Sequence, residues 1–170
     1  MKKYAFGVDI GGTTIKIGLF ETSGNLIEKW EIPTRTQENG TYILNDIAEA
    51  IAAKLAEKNI SEKEIEGIGV GVPGPVGDDG TVYKCVNLGW RVFNVAIELE
   101  RKTGFKVKVG NDANVAALGE MWQGGGKGYG VGGVCAVTVM DHGEVVDVLR
   151  EASVDGFHEC RRVEAVYIIR

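Results

Sequence analysis

The chain contains no apolar run approaching the roughly 18 residues a membrane-crossing helix requires. Nor does it have an excess of positive charge. Its formal net charge is −5, so composition offers no footprint for nucleic acid or for an anionic membrane surface. Disulfide scaffolding is equally poorly supported, because the three cysteines, Cys85, Cys135 and Cys160, are odd in number and far apart. The opening apolar stretch meets Asp9 too early to serve as the core of a signal peptide. Internal repeats and low-complexity segments are also missing. These absences point to a cytoplasmic protein with small-molecule partners, no membrane and no nucleic acid.

What the chain has in plenty is glycine: 25 of 170 residues, about twice the usual share. The glycines fall in short clusters between apolar runs, which suggests tight strand connections and backbone lying close to a ligand. Alternation predicts three strands, over 4–9, 14–21 and 26–32, with Ile15, Ile17 and Leu19 on one face and Pro33 ending the third. An apolar stripe of Leu44, Ile47, Ala48, Ile51 and Leu55 predicts a helix over about 41–58. A buried strand is expected at 67–72, a short helix at 94–102, a strand at 106–109 and a helix from Asp112 to Trp122. The order β-β-β-α-β-α-β-α implies an α/β layer with strands covered by helices.

Three segments carry candidate chemistry. In Asp9-Ile10-Gly11-Gly12-Thr13-Thr14-Ile15-Lys16, paired glycines let backbone N–H groups approach an anion. Thr13 and Thr14 add hydroxyls, Lys16 adds charge, and Asp9 can orient a metal-bound water. A plain glycine hairpin with a structural aspartate would read the same way. In Gly67-Ile68-Gly69-Val70-Gly71-Val72-Pro73-Gly74-Pro75, alternate glycines mark something packed tightly on the strand. Gly67 and Gly69 read as packing positions, whereas the proline loop is the better candidate for lining a ligand. In Val109-Gly110-Asn111-Asp112, a strand ends and a helix opens. Asp112 could be a helix cap or first-turn acid. Alternatively it is a general base at the carboxyl end of a strand, taking a proton from a hydroxyl that attacks a γ-phosphorus. Asn111 would hold neighbouring hydroxyls through both its donor and its acceptor.

Taken in this order, with Val86-Asn87-Leu88-Gly89-Trp90 between the last two, the segments resemble the ROK family of sugar kinases and repressors over about residues 3–129. Within that family the resemblance is strongest to the glucokinases of Gram-positive bacteria. It implies an actin-like ATPase, ribonuclease-H-like fold and ATP-dependent phosphorylation of glucose, with ATP and Mg2+ as cofactors. By the same resemblance, Asp9, Gly11, Gly12, Thr13, Thr14 and Lys16 belong to the ATP phosphate segment. Pro73, Gly74, Asn87, Asn111 and Asp112 belong to the sugar pocket, with Asp112 as the catalytic base. Full-length members of the family can form homodimers.

The family pattern would continue with a second Thr-Gly-x-Gly-Gly loop, a Glu-x-Gly-His sugar motif and a cysteine-rich zinc motif, and none of these occurs. His158-Glu159-Cys160 is too small a set for a zinc site, so no metal ligands are assigned. All twelve lysines lie at or before Lys127, while four of seven arginines and both histidines lie at or after His142. The expected organisation is therefore an amino-terminal kinase domain over 1–129 and an atypical tail over 130–170, a fragment or a non-homologous segment. Other readings are a kinase for fructose, mannose or an N-acetylhexosamine, and a catalytically silent fragment. A ROK-type repressor fits poorly, because no helix-turn-helix precedes the first strand.

Overall fold

The computed structural model describes residues 2–112, 114–115, 135–141 and 144–150. Five strands form one sheet in the order β3-β2-β1-β4-β7. These are β1 (Tyr4–Ile10), β2 (Thr14–Glu21), β3 (Leu26–Pro33), β4 (Ile65–Val72) and β7 (Val107–Asn111). The first three run as an antiparallel meander, and β4 and β7 then add in parallel beside β1. Parallel neighbours need a crossover. Helix α2 (Ile43–Lys58) supplies one before β4, and α3 (Val95–Thr103) supplies the other before β7.

Cross-strand register explains the sequence pattern. Trp30, Ile17, Val8, Val70 and Val109 lie opposite one another across all five strands, as do Leu19, Phe6, Ile68 and Val107 across four. These residues share a core with Ile43, Ile47, Ile51 and Leu55 of α2, all buried. Fully burying each such side chain contributes about 1.5–3 kcal/mol. The alternate positions are nearly bare: Gly18, Gly7 and Gly69 form one row, and Lys16, Asp9, Gly71 and Gly110 form the next. Because side chains alternate between faces, filling one face with aliphatics leaves the polar row on the other. That row ends at the carboxyl edges of β1, β4 and β7.

The expected elements are present with shifted ends. Strand β4 starts two residues earlier than periodicity suggested, after a capped 3-10 turn at Glu62–Glu64. Helix α2 starts at Ile43 rather than Thr41, because a left-handed turn at Glu38, Asn39 and Gly40 (α1, Gln37–Gly40) precedes it. Two short strands went unread: β5 (Thr81–Val82) and β6 (Phe93–Asn94), which pair antiparallel and flank the 85–90 turn. Two residues each are too few to show a period. The expected helix from Asp112 is helical at residues 112, 114 and 115, and the rest of it lies outside the described residues. In the tail, β8 (Cys135–Asp141) pairs antiparallel with β9 (Glu144–Arg150).

Gly40 locks α1 to the 85–90 turn. Its φ is +67°, its carbonyl accepts the Trp90 indole N–H at 3.2 Å, and an added Cβ would sit 2.6 Å from that nitrogen and against the Leu88 carbonyl. Gly104 has a similar φ of +74° but nothing within 4 Å of an added Cβ. Gly104→Ala should therefore cost only backbone strain, about 1 kcal/mol, whereas Gly40→Ala adds overpacking worth another ~1–3 kcal/mol. Urea unfolding of the two variants checks this, and equal losses would mean the Gly40 contact carries no weight.

Candidate active site

The loop between β1 and β2 is Gly11-Gly12-Thr13. Neither glycine has a left-handed φ. Gly11 is required for closeness instead, since an added Cβ would lie 2.8 Å from the Thr14 carbonyl. The Gly11 N–H donates to that same carbonyl at 3.0 Å. This corrects the expectation that both glycine amides face a ligand: Gly11 closes the turn, and Gly12 and Thr13 are the exposed residues. Thr34 clamps the loop from β3's end, its hydroxyl donating to the Gly11 carbonyl at 2.7 Å and its N–H to the Thr13 carbonyl at 2.9 Å.

Beside this loop stands the 85–90 turn. Cys85 and Trp90 exchange backbone bonds at 3.0 and 3.2 Å around a single 3-10 turn, and Gly89 at φ +75° closes it. The exposed Asn87 is thereby carried to Gly12, where an added Cβ would lie 3.9 Å from the Asn87 Cβ. A candidate sugar contact and a candidate phosphate loop, 75 positions apart, are neighbours.

On the other flank, Asn111 fastens two segments together. Its Nδ2 donates to the Gly74 carbonyl at 3.1 Å, and its Oδ1 accepts the Asn114 N–H at 3.3 Å. Asn111, not Asp112, is thus the helix cap, and its amide does framework work at both ends rather than serving hydroxyls alone. Asp112 sits in the first turn with its capping duty already taken. It lies over Gly71: an added Cβ there would be 3.6 Å from Asp112 Cα and 3.8 Å from Asp9 Oδ1. The Asp9 carboxylate and the base of the Asp112 side chain therefore flank the same glycine.

Burial, the foremost cause, holds the Asp9 carboxyl above its ordinary range. The Asp112 charge pushes the same way, and Lys16, directly opposite on β2, opposes both. Pro73 and Gly74 belong to the adjoining loop. The Pro73 carbonyl accepts the Cys85 thiol at 3.0 Å, and Gly74 packs under the Lys84 carbonyl, 2.7 Å from where a Cβ would be. Sequence reasoning missed Cys85 and Thr34. The Cys85 thiol is held high, first by burial and also by the Asp112 charge, which marks it as part of the same cluster. Its position next to Val86-Asn87 was the available signal. A separate cavity of about 530 Å³, lined by Gly40, Leu44, Trp90, Phe93, Ile97 and Lys102, among others, contains none of the expected site residues.

The model of the ROK family matches residues 5–140. The chain belongs to the ROK family. Its architecture is the actin-like ATPase fold of that family's solved sugar kinases. A glucokinase of Halalkalibacterium halodurans is 46% identical over 127 residues, 74% of this chain and 38% of that protein. An N-acetylgalactosamine kinase of a Shewanella strain is 34% identical over 128 residues. Among solved structures, a ROK family glucokinase from Streptomyces griseus, in complex with glucose and AMPPNP, superposes with a TM-score of 0.59 at 32% identity. That match covers 74% of this chain and 38% of that one. The chain thus spans a little over a third of the length of the relatives it matches.

Among the described residues no group of three or more His, Cys, Asp or Glu forms a ready metal cluster, and no helix is long and apolar enough to cross a membrane. The donor set at Asp9 is one carboxylate with neighbouring threonine hydroxyls. It fits a magnesium ion that keeps most of its waters and is shared with phosphate oxygens, rather than an all-protein cage.

Because Asp9 has a raised pKa when folded, its charged form is the one the fold disfavours. Its stability contribution is complete below the unfolded pKa near 3.8 and is lost as pH rises through the folded value. Asp9→Asn should raise the thermal midpoint at pH 7, and the gain should vanish below about pH 3.5. Melting curves across pH check the sign; a lower midpoint at pH 7 would mean that attraction to Lys16 outweighs burial.

Proposed function

We propose that this chain supplies the sugar-binding and general-base half of an ATP-dependent hexose kinase acting on glucose. One observation carries the reading. Asp112 stands at a strand's carboxyl end, one residue past the cap Asn111, and its base and the Asp9 carboxylate flank the same bare position, Gly71.

In this reading Asp112 accepts the proton of the glucose 6-hydroxyl as that oxygen bonds to the γ-phosphorus of ATP and the bond to ADP breaks. The products are glucose 6-phosphate and ADP. Asn87 and the Pro73–Gly74 loop orient the sugar, and Asn111 holds that loop against the helix. Gly12, Thr13, Thr14 and Lys16 face the phosphates, and Asp9 holds a magnesium-bound water. Magnesium supplies charge neutralisation on the phosphate oxygens when bound. Residues 1–129 carry every residue assigned here. Turnover belongs to the chain completed by the remaining family segment. The 170 residues alone should turn over slowly or not at all, because domain closure is what excludes water from such sites.

The completed enzyme, made by joining the carboxyl-terminal half of a ROK glucokinase after Tyr129, tests the assignment. Asp112→Asn should lower kcat by about 10²–10⁴ with little change in glucose affinity, since the amide keeps the shape but cannot take the proton. Glu98→Gln, which alters a half-buried carboxylate on α3 outside the candidate site, should leave kcat unchanged. Near-full turnover by Asp112→Asn would reduce Asp112 to a structural acid. The likeness to an N-acetylgalactosamine kinase favours one second reading, a hexosamine substrate. Rates across glucose, mannose, fructose and N-acetylhexosamines separate the two.

A further inference from the structure

We propose that Gly71 is a positioning residue of this site, whose missing side chain keeps open the space between the Asp9 carboxylate and the base of the Asp112 side chain, beside which the reacting oxygen must pass. The proposal rests on the sugar-kinase reading above.

A glycine inside a buried strand weakens it, through lost backbone entropy and an absent packing partner, so its presence needs a cause. One cause is a left-handed backbone. The described glycines with positive φ are Gly24, Gly40, Gly80, Gly89 and Gly104, so this does not apply to Gly71. A second cause is collision. Gly67, two pairs earlier on the same strand face, is a true packing glycine, because its Cβ would lie 2.7 Å from the Lys106 carbonyl oxygen. Gly110, the β7 partner of Gly71, would collide with Val115 Cγ2 at 2.5 Å. Gly71 differs from both. The three atoms nearest its Cβ would be Asp112 Cα at 3.6 Å, Asp112 Cβ at 3.8 Å and Asp9 Oδ1 at 3.8 Å, all at ordinary van der Waals separation.

A methyl group at Gly71 would therefore fit without moving backbone. What it would change is the place it fills. That place is bounded by two candidate site residues, and a methyl takes up about the volume of one water, ~30 Å³. In the free protein the space suits a water on the Asp9 carboxylate. In the reaction it suits the sugar hydroxyl on its way from Asp112 to phosphorus. A methyl would push that oxygen away and replace a polar neighbour of Asp9 with an apolar one. Gly12 carries the same signature at the opposite rim, where an added Cβ would meet, among the described residues, only the Asn87 side chain, at 3.9 Å. In both places the glycine borders a candidate ligand contact and not a packed wall.

The test uses the full 170-residue chain in three forms, unsubstituted, Gly71→Ala and Gly67→Ala, measuring the thermal midpoint and D-glucose affinity by titration calorimetry. Gly71→Ala should melt within about 3 °C of the unsubstituted chain, or slightly above it, since alanine restricts the unfolded state. Gly67→Ala should fall clearly further. Gly71→Ala should nonetheless bind glucose at least about tenfold more weakly, a loss of ~1.4 kcal/mol. If it binds glucose as tightly as the unsubstituted chain, or melts as low as Gly67→Ala, Gly71 is an ordinary strand glycine and the proposal fails while the sugar-kinase reading stands. If the unsubstituted chain binds no glucose, the reading itself fails and this proposal goes with it.

Discussion

The packing of α2 onto one face of the sheet sets everything else. Ile17, Val8 and Val70 of the central row and the α2 residues Ile43, Ile47, Ile51 and Leu55 form one buried core, with the half-buried Trp30 and Val109 packed against it at the ends of the row. A slip of one residue in any strand would turn its aliphatics outward and its glycines inward, a loss of several side chains' burial at about 1.5–3 kcal/mol each. Register is therefore strongly determined. With register determined, so is the alignment of Lys16, Asp9, Gly71 and Gly110 across four strands on the other face. The polar row is a by-product of the apolar one.

Two connections then bring distant residues to the ends of that row. The 85–90 turn, braced by Trp90 against Gly40, delivers Asn87 to Gly12. The Asn111 amide ties the Gly74 carbonyl to the start of the next helix and so sets where Asp112 stands. Neither bond is strong alone, each worth about 0.5–1.5 kcal/mol net. Their effect is geometric: a loop carrying candidate sugar contacts is held against a rigid sheet edge, which suits chemistry that depends on positioning. The raised pKa of Asp9 is the energetic counterpart, a carboxylate kept partly dry where stability alone would favour a neutral group.

Much of this was readable in the sequence, for identifiable reasons. β2 alternates from Thr14 to Leu19, so its ends fell where expected, and α2 has five apolar positions at helical spacing. The motif residues could be singled out as a group because glycine pairs and strand-end carboxylates have few structural uses. What escaped were effects of contact rather than pattern. The Gly11 N–H satisfies the turn's own carbonyl, Asn111 takes the cap that Asp112 was expected to share, and Cys85 reaches the Pro73 carbonyl. Each depends on which chain segment comes within 3 Å, and spacing alone does not carry that information. The strands β5 and β6 escaped because two residues display no period.

The central claim is that Gly74, Asn87, Asn111 and Asp112 form one sugar site with Gly12 of the phosphate loop at its rim, although they are spread over a hundred positions of chain. Backbone amide chemical shifts of the 170-residue chain, followed during titration with D-glucose and with L-glucose as control, test it most directly. The account predicts saturable shifts in the D-glucose series, concentrated at residues 12–13, 74, 87 and 111–112, with one shared dissociation constant and none for L-glucose. Shifts concentrated around Gly40, Trp90 and Ile97 instead, or equal responses to both sugars, would contradict it.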